Sequence, residues 1–217
     1  MIQIKNFLPL LLLTIHSVLY SQVRANISGK SYTLESVDIR IDDLMINLNS
    51  KGEIISFQPD ILDAEIDYYD DPNFDNFKFG KIKKIGNLKI DYWDTLNKTD
   101  PKYGKIKYIG TVSLEYYDLF DKELSGRVKK IGDLKIGYFE NNILDNSKSG
   151  KLKSIGNVEI DYGSKDNFDD SKYQKLIKFG TVSLDYWNDK VFDKEKFGKL
   201  KSIKGNTQDV SIKLVWQ

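Results

Sequence analysis

Apolar and polar residues alternate along two stretches near the start of the chain. Every second residue is apolar from Val37 to Ile41 and again from Leu44 to Leu48. A period of two is typical of strands with one buried face. The intervening pair Asp42-Asp43 shifts the parity between the two stretches, which predicts a tight bend or a bulge there.

A longer pattern occupies most of the remaining sequence. The segment Gly80–Trp93, GKIKKIGNLKIDYW, recurs in five later copies, of which the last is frayed. Tyrosines mark the register at intervals of 24, 24, 22, 24 and 24 residues. They are Tyr68, Tyr92, Tyr116, Tyr138, Tyr162 and Tyr186. Each unit thus has a fixed part and a polar connector whose length varies, as expected where loops join packed elements.

The fixed part divides at its inner glycine. In the second half, Leu88, Ile90 and Tyr92 share one face of a strand. In the first half, Ile82 and Ile85 have opposite parity. A two-residue turn at Gly86-Asn87 would make the unit a hairpin, and a bulge at Gly86 within one long strand would also change the parity. Glycine followed by Asn, Asp, Ser or Thr is itself a turn signal, so the hairpin is favoured.

A single unit of this length buries too little apolar surface to fold alone, so neighbouring units must stack. The predicted fold is all-β, an antiparallel meander of about seven 24-residue hairpin repeats forming one long twisted sheet, either flat or folded over on itself. Residues 61–205 would form the array. Residues 22–60 would supply a flexible segment, Gln22–Leu34, and cap strands. A divergent first repeat would begin there with Gly52–Phe57 and close with Ala64–Tyr69. Residues 206–217 would form a capping strand.

The amino terminus predicts export. Residues 1–21 place one lysine before an apolar run that ends at Ser21, as in a cleaved signal peptide. The run is too short and too interrupted for a membrane span, so we expect none after signal removal. Removal of Lys5 and His16 leaves equal numbers of basic and acidic side chains, which predicts no nucleic-acid partner. We therefore interpret the chain as a bacterial protein that is secreted, periplasmic or on the cell surface.

One unit resembles a known repeat family. Tyr116-Tyr117-Asp118, a short connector and then Gly126-Arg127-Val128 are similar to the tyrosine-aspartate (YD) repeats of Rhs-type secreted shells. Lysine mostly replaces the arginine, and the connectors are longer. The resemblance implies strips of β-hairpins in cell-surface or toxin proteins and implies no enzymatic role.

A second aromatic residue follows the registered tyrosine in most units. These residues form an aromatic column, with a gap at Gly163; its members are Tyr69, Trp93, Tyr117, Phe139 and Trp187. Aromatic faces spaced along a sheet can stack on sugar rings, and they can equally be cross-strand packing. The column is the candidate ligand-binding site.

The acidic connectors suggest calcium. Asp71, Asn73 and Asp75 have the oxygen-ligand spacing that opens a calcium loop, without the glycine and distal glutamate of an EF-hand. A second cluster comprises Asp166, Asp169 and Asp170. Because Asp and Asn are also common turn formers, the alternative is structural.

Catalysis has little support in the sequence. Without His16 the chain has neither histidine nor cysteine, which excludes histidine-dependent catalytic triads and cysteine nucleophiles. Carboxylates such as Asp91 and Asp161 recur with the period, and we expect them to face lysines such as Lys81 or Lys89. The sequence predicts no enzyme and no cofactor. It predicts a structural or adhesin-like protein with a protein or cell-surface glycan partner, the alternative being a glycan-binding module.

Overall fold

The computed structural model describes residues 22–143, 146–165 and 169–216, and it is all-β as predicted. Besides one 3₁₀ turn, Asn76–Lys78, the regular elements of these ranges are strands. In chain order they are β1 (Gln22–Ser28), β2 (Leu34–Ile41), β3 (Leu44–Asn49), β4 (Ile54–Pro59), β5 (Ile66–Tyr68), β6 (Ile82–Ile85), β7 (Leu88–Tyr92), β8 (Ile106–Ile109), β9 (Val112–Tyr116), β10 (Val128–Ile131), β11 (Leu134–Tyr138), β12 (Leu152–Ile155), β13 (Val158–Tyr162), β14 (Leu176–Phe179), β15 (Val182–Tyr186), β16 (Leu200–Lys204) and β17 (Val210–Val215). The predicted signal peptide, residues 1–21, lies outside the described residues.

The repeat array is one antiparallel sheet. Its twelve strands follow each other in chain order from β5 to β16, which is the predicted meander. Five complete hairpins, from β6–β7 to β14–β15, are flanked by a single strand at each end.

Each hairpin turns at its inner glycine, which confirms the favoured geometry. Ile85 pairs with Leu88 across the two residues Gly86 and Asn87. Gly86 has a φ of 55°, in the left-handed region, whereas Asn87 does not. A positive φ at the first central position alone is the pattern of a type II′ turn, which matches the twist of the flanking strands.

The parity change comes from a bulge in the first strand of the hairpin. Tyr68 lies opposite Ile82 while Asp67 lies opposite Lys84, so Lys83 is the extra residue. The same irregularity recurs between later units. Because one extra residue reverses the side-chain alternation, both apolar positions of the strand reach the buried face.

Five strands form a second sheet in the order β17-β1-β2-β3-β4. The predicted flexibility of Gln22–Leu34 is wrong. Gln22–Ser28 is an interior strand that pairs parallel with β17 and antiparallel with β2, and Ala25 and Ile27 are fully buried. Its short alternation of apolar residues within a polar stretch suffices for a strand once β17 supplies a partner from the other end of the chain.

The predicted first repeat is also wrong, because its two halves lie in different sheets. Ile54–Pro59 pairs with β3, and Ile66–Tyr68 begins the array. Asp42-Asp43, by contrast, forms the predicted tight bend, with Ile41 paired to Leu44. β17 pairs with β1 rather than with β16.

The smaller sheet packs face to face on the array as in a sandwich, and its contacts reach β14 and β15 near the end of the array. The Tyr32 ring lies 5.8 Å from the Tyr186 ring, and the Leu176 amide donates to the Tyr32 carbonyl. Apolar residues of both sheets form one core. The buried residues of the array lie on β7 to β15, whereas β5 and β6 at one end and β16 at the other have no fully buried residue.

No helix in the described ranges is long and apolar enough to cross a membrane.

Candidate functional site

The aromatic column lies beside the connectors, next to the buried tyrosines. Each ring lies there because its residue directly follows the registered tyrosine at the end of a strand. That tyrosine is buried in three of the five units, half-buried at Tyr116 and exposed at Tyr68. All five rings are half-buried. The structure thus brings Tyr69, Trp93, Tyr117, Phe139 and Trp187 into one repeated environment.

Lysine side chains surround the rings of this column. Two ammonium groups, Lys102 Nζ and Lys107 Nζ, lie 5.0 and 5.2 Å from the centre of the Trp93 ring. Lys196 and Lys201 stand at 4.6 and 5.0 Å from the centre of the Trp187 ring. One lysine of each pair comes from the connector and the other from the bulge. Such cation–π contacts contribute about 0.5–1 kcal/mol each at exposed sites.

The polar tips of the rings bond to the next unit. The Tyr69 hydroxyl and the Trp93 indole each donate at 3.1 Å, to the carbonyls of Ile90 and Leu114. The Tyr117 hydroxyl donates at 3.3 Å to the Ile136 carbonyl. A sugar stacking on these rings would therefore have to displace lysines from contacts that join consecutive units.

A second repeated contact involves the basic residue that follows the first glycine of each unit, which we call the outer glycine. Lys81 Nζ donates at 2.6 Å to the carbonyl of Gly104, the outer glycine of the next unit, and lies 4.7 Å from the centre of the Tyr92 ring. Lys105 and Arg127 make the same contacts one unit further on. Burial lowers the pKa of Lys81 and Lys105. We call this contact the lysine latch; the sequence interpretation missed it, although the recurring dipeptide Gly-Lys or Gly-Arg was its signal.

The periodic carboxylates pair with connector lysines, so the expected pairing with Lys81 or Lys89 is wrong. Asp91 accepts a hydrogen bond from Lys78, and Asp161 accepts one at 2.6 Å from Lys148. Burial acts to raise the pKa of Asp91, but hydrogen bonds from Lys78 and the Tyr92 amide outweigh it and lower the pKa.

The acidic connector after β5 uses its carboxylates to shape a turn. The Asp71 carboxylate accepts hydrogen bonds from the amides of Asn73 and Phe74, at 2.9 and 3.2 Å. The Asp75 carboxylate accepts one from the Asp71 amide at 2.9 Å. These are the side-chain-to-backbone bonds by which Asp initiates turns.

In the second acidic cluster, Asp169 accepts from the Ser171 amide and Asp170 pairs with Lys190, while Asp166 lies outside the described residues. Across the described ranges, the structure holds no group of three or more acidic, cysteine or histidine side chains that could hold a metal ion.

An apolar groove runs beside β4, the edge strand of the smaller sheet. Its first part, of about 560 Å³, lies between Ile54 and Phe57 on one side and Ile82, Ile85 and Ile106 of the array on the other. It exists because the smaller sheet ends at β4 while the array continues to β5. We call it the β4 groove.

A second cavity, of about 630 Å³ and lined by other residues, lies at the Pro59 end of β4, reaches the hairpin turns and has an acidic rim; we include it in the β4 groove. Four exposed carboxylates line it, those of Asp42, Asp43, Asp60 and Asp63. Of these, Asp60 pairs with Arg40 at 3.2 Å. No periodic sequence signal indicates this groove, because it arises from the packing of two sheets and from the split of the first repeat.

Two shallow depressions meet at Phe139, where Gly163 leaves the gap in the aromatic column. One of them is lined by Lys148, Lys153 and Asp161. This polar surface leaves open space beside the Phe139 ring.

Comparison with known proteins does not assign the chain to a family. No protein-family model matches the chain, and neither a curated protein nor a solved structure is significantly similar to it. The resemblance to tyrosine-aspartate repeats therefore stays a prediction.

Proposed function

We propose that the protein is an exported, non-enzymatic interaction protein that binds an extended polypeptide segment in the β4 groove. The observation that carries the proposal is an open apolar groove with an acidic rim beside an unpaired edge strand. Edge strands and adjacent apolar pockets are a recurring way to recognise extended peptides. The segment that fits has apolar side chains for the groove and basic ones for its rim.

Exposed apolar side chains near the groove support this function. Ile55 is 59% exposed, Ile61 41% and Leu62 99%. Contiguous exposed apolar surface with a polar border is typical of protein interaction sites.

The periodic residues support a non-enzymatic role. Their lysines, aromatic rings and carboxylates contact one another between units. Each described carboxyl group whose pKa is displaced, such as Asp91 or Asp185, has a lowered pKa. A general acid at neutral pH needs a raised one.

Two labelled peptides test the proposal by fluorescence polarisation. One alternates valine and lysine over nine residues, and the other alternates valine and glutamate. We expect the lysine peptide to bind and the glutamate peptide to fail. Because exposed charge contacts are weak individually, the double variant Asp43→Lys, Asp63→Lys should weaken binding about tenfold, and Asp209→Lys should not. Equal binding of both peptides, or binding of neither, would refute the proposal.

A second candidate function is glycan binding at Phe139. The depressions beside this ring combine an aromatic face with charged hydrogen-bonding groups, as sugar sites do. A glycan array should then give a signal that Phe139→Ala removes and Asp43→Lys leaves intact. An array without signal above background rejects this candidate.

A further inference from the structure

The two ends of the array are complementary halves of one repeat unit. The first strand, β5, lies in Ala64–Tyr69, which corresponds to the second half of a unit, Leu88–Trp93. The last strand, β16, lies in a segment that corresponds to the first half, Gly80–Ile85. The array therefore begins with a half that lacks its hairpin partner and ends with the other half.

Both halves have a free edge. In the described ranges, β5 pairs with β6 alone and β16 pairs with β15 alone. Ile66 and Tyr68 of β5 are 51% and 47% exposed, whereas Ile160 and Tyr162 at the same positions of a central unit are 2% and 1% exposed. An exposed edge with apolar side chains is a template for another strand.

The charges of the two edges are opposite. β16 and its flanks carry Lys199, Lys201 and Lys204, and β5 and its flank carry Glu65 and Asp67. Edges of opposite charge attract each other and edges of like charge repel, even where the charged residues are not directly opposite in the register.

The residue pairs inside the hairpins show how the free edge of β5 differs from the corresponding strand of a complete unit. Lys84 lies opposite Lys89 in the first hairpin. A hairpin tolerates this like-charge pair because its strands are covalently joined. At the array's first strand, Glu65 replaces the residue equivalent to Lys89. The free edge thus lacks the repulsion that would oppose pairing between separate chains.

We propose that the partner of each edge is a second copy of this chain, with β16 of one copy pairing antiparallel with β5 of the next. The hairpin register then places Ser202 opposite Glu65 and Ile203 opposite Ala64 of the neighbouring copy. The joint completes one repeat unit. Because the two surfaces differ, each added copy presents a new free edge, and the assembly grows head to tail into a filament or closes as a ring.

Complementary charge reversals test the proposal by analytical ultracentrifugation. The wild-type protein should show a mass that rises with concentration and falls with added salt. Variant one, Glu65→Lys with Asp67→Lys, and variant two, Lys201→Glu with Lys204→Glu, should each remain monomeric, because each then has two edges of like charge. An equimolar mixture should assemble again, since each variant now complements the other.

A disulfide trap checks the register. The chain has no cysteine, so Ala64→Cys with Ile203→Cys should form disulfides between copies under mild oxidation, and Ala64→Cys with Asp209→Cys should give much less. Circular dichroism spectra and thermal melting curves serve as the control that each variant is folded. A wild-type protein that stays monomeric at millimolar concentration, or a mixture that does not assemble, would overturn the proposal.

Discussion

At the residue scale, the periodic side chains act as links between units. A buried tyrosine donates its hydroxyl hydrogen to a carbonyl ten residues earlier, as Tyr186 does to Leu176 at 2.6 Å. Lysines cover the rings from outside. This explains why residue types that look suited to chemistry recur at every period.

The hydroxyl groups of this set are not equivalent. Tyr162 is buried, and its hydroxyl has no hydrogen-bond partner in the described structure. We expect Tyr186→Phe to lower the free energy of unfolding by about 1–2 kcal/mol, because it removes a buried hydrogen bond to the Leu176 carbonyl. Tyr162→Phe should be neutral or stabilising, because it removes a buried unpaired group. Urea denaturation measures both, and equal losses would contradict the assignment.

The buried tyrosines also predict alkaline unfolding. Burial raises the pKa of Tyr92 to about 12, with smaller contributions from Tyr69 and Asp91. The unfolded state loses this proton near pH 10, so the stabilising contribution is full below pH 10 and is lost as the pH rises towards 12. Lys81 faces the same ring with a lowered pKa, which gives an opposite dependence on pH.

Absorbance at 295 nm and circular dichroism should therefore show tyrosine ionisation and unfolding together above pH 10. Tyr92→Phe should flatten the decline of stability between pH 10 and 12. Ionisation of all tyrosines near pH 10 with the fold intact would contradict this account.

At the element scale, the hairpin depends on a glycine with positive φ followed by a bulge in the next unit's strand. The period-two pattern and the Gly-Asn signal predicted the hairpins correctly. The bulge at Lys83 was not predicted, because its sequence KIKKI contains no glycine or other local marker. The pairing of β1 with β17 joins residues near opposite ends of the chain, which no local pattern encodes.

Replacing a glycine of positive φ by alanine should lower the stability of the fold, and the loss should be larger where neighbouring atoms crowd the glycine. Gly110 has a φ of 59°, and a Cβ atom there would lie 2.5 Å from Leu88 Cδ1. Gly80 has a φ of 78° and open space. We expect Gly80→Ala to cost about 1–2 kcal/mol for the left-handed backbone alone, and Gly110→Ala to cost more because the Leu88 side chain must also shift. Thermal and urea denaturation compare the two, and a greater loss for Gly80→Ala would contradict the turn geometry.

The candidate site was only partly predictable from sequence. The aromatic column is visible as a spacing, and its residues do share one environment. The lysine latch was missed because a lysine just before a charged strand is typical of a solvated surface. The β4 groove depends on where one sheet ends above another.

At the scale of the whole molecule, the array has a buried face from β7 to β15 and less buried end strands, β5 and β6 at one end and β16 at the other. The unpaired edges with opposite charge lie at those ends, and exposed apolar side chains lie there, along β4 and in connectors, for example Leu96, Phe120 and Phe192. The account's central claim is that the repeats are held by packing at the centre while interaction surfaces occupy the uncovered margins.

Amide hydrogen exchange tests this claim most directly, on protein diluted until copies no longer associate. Exchange slows where hydrogen-bonded strands are buried and have few open states. We predict slow exchange for Val158–Tyr162, beneath the smaller sheet, and fast exchange for Ile66–Tyr68 and Leu200–Lys204. Equal protection of the end strands and the central strand would contradict it.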